Sequence, residues 1–273
     1  MIFLHLSLFV ATSGQILLRL NGYVDESVNA PAFDYFQGGK DWPGNCAYGH
    51  YQSPIDINEH PANPEQFQVV SPANSTFRPL VVDISPIPRS QFYVADTGNF
   101  EAYMVFETSM REKSDKYDFR QNLADFHIKT PAEHTLNGEK FPMTMQVVFV
   151  FQQPDQVKYI TSYMHILFRE GREHPLLTAL IHNDTMVDMS TLFPPSGVID
   201  DYYYYIGSLS FPWPECLEPQ AWYVPGYILE AAPWQISHWA DRYVNDLSFS
   251  GGRGNARDTQ PLYDRVVYHV VPS

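Results

Sequence analysis

The sequence reads as a β-rich α+β domain, and three features point there. Turn residues recur roughly every eight to twelve positions around short runs of β-favouring residues, the spacing of an antiparallel-rich sheet. Aromatic residues make up 15% of the chain, with 18 Tyr and 18 Phe, and aromatic side chains suit a pleated, half-buried surface. Helical signals are few. In chain order, strands are expected at Leu80–Ile84, Gln91–Val94, Ala102–Phe106, Met145–Phe151, Tyr159–Phe168 and Tyr202–Ile206. The run Tyr202-Tyr203-Tyr204-Tyr205 is read as a strand with alternately buried and exposed rings. One helix is expected over His174–His182, opened by Pro175 and apolar at Leu176, Leu177, Leu180 and Ile181. A second is expected over Pro233–Leu247, where Ile236, Trp239, Ala240 and Tyr243 fall at helical spacing.

At 273 residues the chain can bury a sizeable core without metal or disulfide staples. Its 44% hydrophobic and 18% charged content excludes a disordered chain. The net charge of −14 repels phosphate backbones and anionic lipid, so nucleic-acid and membrane-surface roles are disfavoured. Met1–Val10 is apolar and is followed by the small run Ala11-Thr12-Ser13-Gly14, the pattern of a secretory leader and its cleavage site. The apolar run is too short to span a bilayer as a helix. A secreted or lumenal address follows as an expectation, with Asn74 and Asn183 as sequon asparagines for N-glycosylation. Residues 1–14 are thus read as a leader or apolar segment, 15–34 as an extended arm, and 35–273 as the domain. Cys46 and Cys216 suit neither a zinc finger nor a thioredoxin-type motif; by spacing alone they are two buried thiols or one long-range staple.

Four segments carry a family resemblance. Cys46-Ala47-Tyr48-Gly49-His50-Tyr51-Gln52-Ser53-Pro54-Ile55-Asp56-Ile57, with Trp42 upstream, resembles the opening signature of the α-class carbonic anhydrases. Glu133-His134-Thr135-Leu136-Asn137-Gly138 resembles that family's Ser-Glu-His-Thr stretch. Tyr205-Ile206-Gly207-Ser208-Leu209-Ser210, with Pro212, Cys216 and Trp222, resembles its Tyr-x-Gly-Ser-Leu-Thr segment. Asn255-Ala256-Arg257-Asp258-Thr259-Gln260-Pro261-Leu262 matches its C-terminal Asn-x-Arg-x-x-Gln-Pro-Leu. The resemblance implies a single domain with a large, mostly antiparallel central sheet of about ten strands, peripheral helices, and a site in a conical cavity. It also implies a Cys46–Cys216 disulfide.

The family's chemistry needs zinc on three neutral imidazoles, which leave the full metal charge to lower the pKa of a bound water to about 7. Two of the ligands come from a His-x-His pair on one strand and the third from its neighbour. Here those positions fall on Asp125, His127 and Gln146, and the chain contains no His-x-His at all. An aspartate oxygen would weaken the pull on bound water, and an amide carbonyl is a poor zinc ligand. The shuttle position holds Asn99, which cannot carry a proton as histidine does. Val148, Leu209 and Trp222 keep the apolar pocket wall, whereas Tyr163 falls where the family has a valine and would fill the substrate space.

Glu133 and Ser210 match the family's gate pair and are read as a vestigial, buried hydrogen-bond pair. His134 is expected to bond inside the core, and His165 is grouped with the structural or exposed histidines. The expectation is a protein without zinc or other cofactor and without catalytic residues, serving as a binding domain or a subunit of a larger assembly. Protein partners are expected, with a carbohydrate ligand as a further candidate. The alternative is a divergent zinc enzyme that converts CO2 and water to bicarbonate and a proton through Asp125, His127 and Gln146.

Overall fold

The computed structural model describes residues 33–83, 120–152, 159–184, 186–212, 216–245 and 247–273. It also describes the short strands Val10–Ala11, Gln15–Ile16, Ile87–Pro88, Phe92–Ala95, Glu101–Met104 and Ser109–Glu112. Most of the segment read as a leader and arm, and Asn99 at the shuttle position, lie outside the described residues. The chain divides into Met1–Phe33 and Asp34–Ser273. In the first unit Val10–Ala11 pairs antiparallel with Gln15–Ile16.

The second unit is built on a 13-stranded sheet. Its main path runs Val198–Ile199, Leu80–Asp83, Ser109–Glu112, Arg120–Lys129, Met143–Gln152, Tyr159–Glu170, Gln220–Pro225, Tyr202–Gly207, Val267–Val270 and Phe67–Val70. Pairing is mostly antiparallel. The exceptions are Tyr159–Glu170 with Gln220–Pro225 and with Leu229–Ala231, and Val267–Val270 with Phe67–Val70.

Alternation along the central strands sorts residues to two faces. Phe126 and Ile128, Met145, Val147 and Phe149, and Met164, Ile166 and Phe168 join one buried cluster with Leu176, Leu177, Leu180, Ile236, Trp239 and Tyr243. The latter six belong to the helices Pro175–His182 and Pro233–Val244, which seal this face. Each helix opens on a proline, whose missing N–H costs nothing in the first turn. The first ends at Asn183 in the left-handed region (φ 59°), a conformation asparagine tolerates. Gln235 joins the two helices: its Oε1 accepts from His174 N (2.9 Å) and Ala232 N (3.0 Å), while its Nε2 donates to His174 O (2.8 Å). The opposite sheet face carries the residues between these, and that face holds the site.

Tyr202–Gly207 departs from the alternation expected of its tyrosines, since Tyr202, Tyr203 and Tyr205 are all buried. The strand lies between Gln220–Pro225 and Val267–Val270, and its two faces enter different buried clusters, Tyr202 in one and Tyr203 with Tyr205 in the other. Tyr203 is closed over by His269, stacked at 4.4 Å, and donates to Glu59 Oε1 at 2.8 Å.

Candidate functional site

Register assembles the site in two rows across the sheet. Asp125 stands opposite Val148, Val148 opposite Tyr163, Tyr163 opposite Trp222, and Trp222 opposite Tyr205. One step along, His127 stands opposite Gln146, and Gln146 opposite His165. Residues directly opposite share a face, so the positions named from sequence at 125, 127 and 146 do converge. The side chain of Asp125 lies outside the described residues.

The donors on this face do not fit a tri-imidazole zinc site. His127 is buried with its ring stacked against Phe211 at 5.8 Å. Gln146 is buried, and its carbonyl oxygen accepts from Ser210 Oγ at 3.3 Å. Ser210 therefore spends its hydroxyl proton on Gln146. Glu133, the other gate position, is held elsewhere: Oε1 accepts from Arg257 N at 3.1 Å and lies 3.4 Å from Lys129 Nζ. Glu133 Oε2 lies 3.9 Å from His165 Nε2. The four wall positions, Val148, Tyr163, Leu209 and Trp222, pack in one buried cluster. The Tyr163 ring stacks on Trp222 with centroids 5.0 Å apart and planes 25° apart.

Behind the row runs a chain of buried hydrogen bonds. Ser53 Oγ lies 2.8 Å from Tyr205 OH, which lies 2.6 Å from His134 Nε2; His134 Nδ1 lies 2.7 Å from His165 Nδ1. Ser53 Oγ also accepts from Ser208 N at 3.0 Å. Gly207 makes room for this start of the chain, since a Cβ there would run into Ser53 Oγ. Burial, aided by the Arg265 charge, pushes His134 down to about 3. Burial also holds His165 well below the usual histidine range, with the His134, Lys129 and His127 charges acting the same way. Burial likewise raises the Tyr205 phenol above its ordinary value. Both imidazoles are therefore neutral at physiological pH.

The sequence reading assigns neither of two members to this site: it groups His165 with the structural or exposed histidines and does not single out Lys129. His165 carries no ligand spacing within the chain and joins the site only through its register with Gln146. Lys129, two residues beyond His127 on the same strand, is fully buried, where lysine is rarely found. The i, i+2 alternation of 125, 127 and 129 was its available signal.

The disulfide implied by the resemblance is present between Cys46 and Cys216. Arg257 sits beneath it, donating to Cys46 O (2.8 Å), Ser53 O (2.6 Å) and Gln52 Oε1 (2.9 Å). Of the sequon asparagines, Asn74 is exposed in a turn where its Oδ1 accepts from Ser71 N at 2.8 Å. Asn183 is the exposed residue closing the helix Pro175–His182.

A dioscorin, DB3L of Dioscorea polystachya, is 32% identical over 160 residues, which are 55% of this chain and 54% of that protein. A carbonic anhydrase of Pectobacterium atrosepticum is 28% identical over 155 residues, 54% of this chain and 57% of its own. The chain thus matches about half the length of these curated relatives. A dioscorin solved in complex with ascorbate shares the fold, with a TM-score of 0.67 at 22% identity, covering 89% of this chain and 99% of that one. The family profile of eukaryotic-type carbonic anhydrases matches residues 37–271, and the chain belongs to that family.

Proposed function

We propose that this chain keeps the carbonic anhydrase scaffold without its zinc chemistry and works as a binding domain or as a subunit of a larger assembly. The observation that carries the reading is Gln146. It stands where the third imidazole would be needed, and its carbonyl oxygen is already engaged by Ser210. Neutral nitrogen donors leave the metal charge undiminished and so favour hydroxide at neutral pH. An aspartate, one imidazole and an amide do not supply that. The Tyr163 ring, stacked on Trp222, supports the same reading by filling the wall where a small substrate would lie.

The disulfide favours an oxidising, extracytoplasmic compartment, in keeping with the apolar leader-like start of the sequence. Among the described residues no helix is long and apolar enough to cross a membrane. A net charge of −14 favours a protein or a neutral carbohydrate over nucleic acid or an anionic sugar as partner. The test is elemental analysis together with stopped-flow CO2 hydration at micromolar protein and added zinc. The expected result is substoichiometric zinc and a rate equal to buffer. One tightly held zinc per chain with chelator-sensitive turnover overturns the reading in favour of a divergent zinc enzyme using Asp125, His127 and Gln146.

A further inference from the structure

We propose that His165, Glu133 and Gln146 form a buried site for one water molecule, held with both of its lone pairs engaged. The inference rests on the metal-free reading above and says how three orphaned polar atoms beside those positions are satisfied. Three polar atoms carry it. His165 Nε2, Glu133 Oε2 and Gln146 Nε2 are each buried and have no hydrogen-bond partner among the described residues. Their side chains are fully buried, and Gln146 and His165 are directly opposite in register. Orphaned groups in such a place are costly, and buried polar atoms are as a rule satisfied by protein or by ordered water.

The hydrogen-bond network fixes which atoms donate. Ser53 Oγ already accepts from Ser208 N, and among the described residues the acceptor for its own proton is Tyr205 O. The Tyr205 proton must then go to His134 Nε2, so the His134 proton is on Nδ1 and goes to His165 Nδ1. Neutral His165 is left with its proton on Nε2, facing Glu133 Oε2 across 3.9 Å. That gap is too long for a direct bond. An oxygen about 2.8 Å from both atoms would sit about 2 Å off the line joining them. Gln146 Nε2, orphaned on the residue directly opposite His165, is assigned as the second donor, because its Oε1 is taken by Ser210.

Two N–H donors and one carboxylate oxygen select the occupant. A cation meets inward-pointing N–H groups, and Lys129 already neutralises Glu133. An anion meets Glu133 Oε2. A water satisfies all three atoms: it accepts from His165 and Gln146 and donates to Glu133. With both lone pairs occupied it has none to offer a carbonyl carbon. The scaffold thus holds one solvent molecule beside Glu133 while keeping it unreactive.

The test is a pair of crystal structures of the full chain at about 1.5 Å resolution or better, one grown with chelator and one with excess zinc, each with data at the zinc edge. The expected result in both is one peak within about 3.2 Å of His165 Nε2, Glu133 Oε2 and Gln146 Nε2, without anomalous signal. No peak, a peak touching fewer than three of these atoms, or His165 bonded directly to Glu133 overturns the water site alone. An anomalous peak there in the zinc-grown crystal overturns both the site and the metal-free reading.

Discussion

Lys129 and Glu133 lie 3.4 Å apart in the interior, with side chains 1% and 0% exposed. The ammonium also donates to Tyr35 OH at 2.9 Å and lies 5.1 Å from the centre of that ring. Burial pulls the Lys129 pKa down, but Glu133 and Tyr35 outweigh it and hold it above the ordinary lysine value. Glu133 is thus neutralised by a side chain from the strand that bears His127.

Lys129→Met leaves Glu133 buried and unpaired, which costs about 3–5 kcal/mol. Adding Glu133→Gln removes the stranded charge and should restore most of that. Urea unfolding of the three proteins measures both effects. A single-variant loss below about 1 kcal/mol contradicts the pairing. Because the folded Lys129 pKa is raised, its contribution is complete below the ordinary value near 10.4 and fades as pH climbs through the folded value.

Acid should destabilise the protein through His134 and His165. Both are held neutral in the folded state, whereas the unfolded chain takes up protons near pH 6.5. The unfolded form therefore binds more protons below that pH, and stability falls as pH drops. From pH 7.0 to 5.5 the pair accounts for about 2.5 kcal/mol. Equal urea midpoints at the two pH values would show that the imidazoles are not buried as described.

Asp125→His with Gln146→His supplies the missing imidazoles beside His127. This double variant should take up one zinc per chain by elemental analysis. Hydration should remain slow until Tyr163→Val clears the ring from Trp222, after which stopped-flow assays should detect turnover. Turnover by the double variant alone would show that Tyr163 does not obstruct the substrate.

Cys46→Ser with Cys216→Ser opens a covalent loop of 170 residues. In the chain-entropy account this costs about 5 kcal/mol. The parent denatured in reductant should match the variant, and both should fall below the oxidised parent. An unchanged midpoint means the loops around Arg257 hold without the staple.

Much of this was legible in the sequence. The runs expected as strands at 80–84, 145–151 and 159–168 fall on Leu80–Asp83, Met143–Gln152 and Tyr159–Glu170. Pro175 located one helix start, and the second helix ends at Val244, three residues short of the expected Leu247. Asp125, His127 and Gln146, named from motif order, fall on adjacent strands, with His127 opposite Gln146. What could not be read was cross-strand register. His165 meets Gln146 only because of how two strands slide into place, and no local pattern encodes that offset. Lys129 escaped notice because burial of an amine contradicts composition rules until its partner is known. The tyrosine run misled because alternation implies one wet face, and a strand covered on both faces has none.

The parallel pairing of Phe67–Val70 with Val267–Val270 joins parts of the chain that leave the ribosome far apart in time. Tyr202–Gly207 and Phe67–Val70 wait on that late strand, which lies between them and bonds to both. Contacts of such high order are slow to form, and the waiting edges are open to wrong pairing in the meantime. A premature stop before Val267 would therefore remove more than a tail. It would strip the seam from the sheet and give the cell an aggregation-prone fragment in place of a shortened domain.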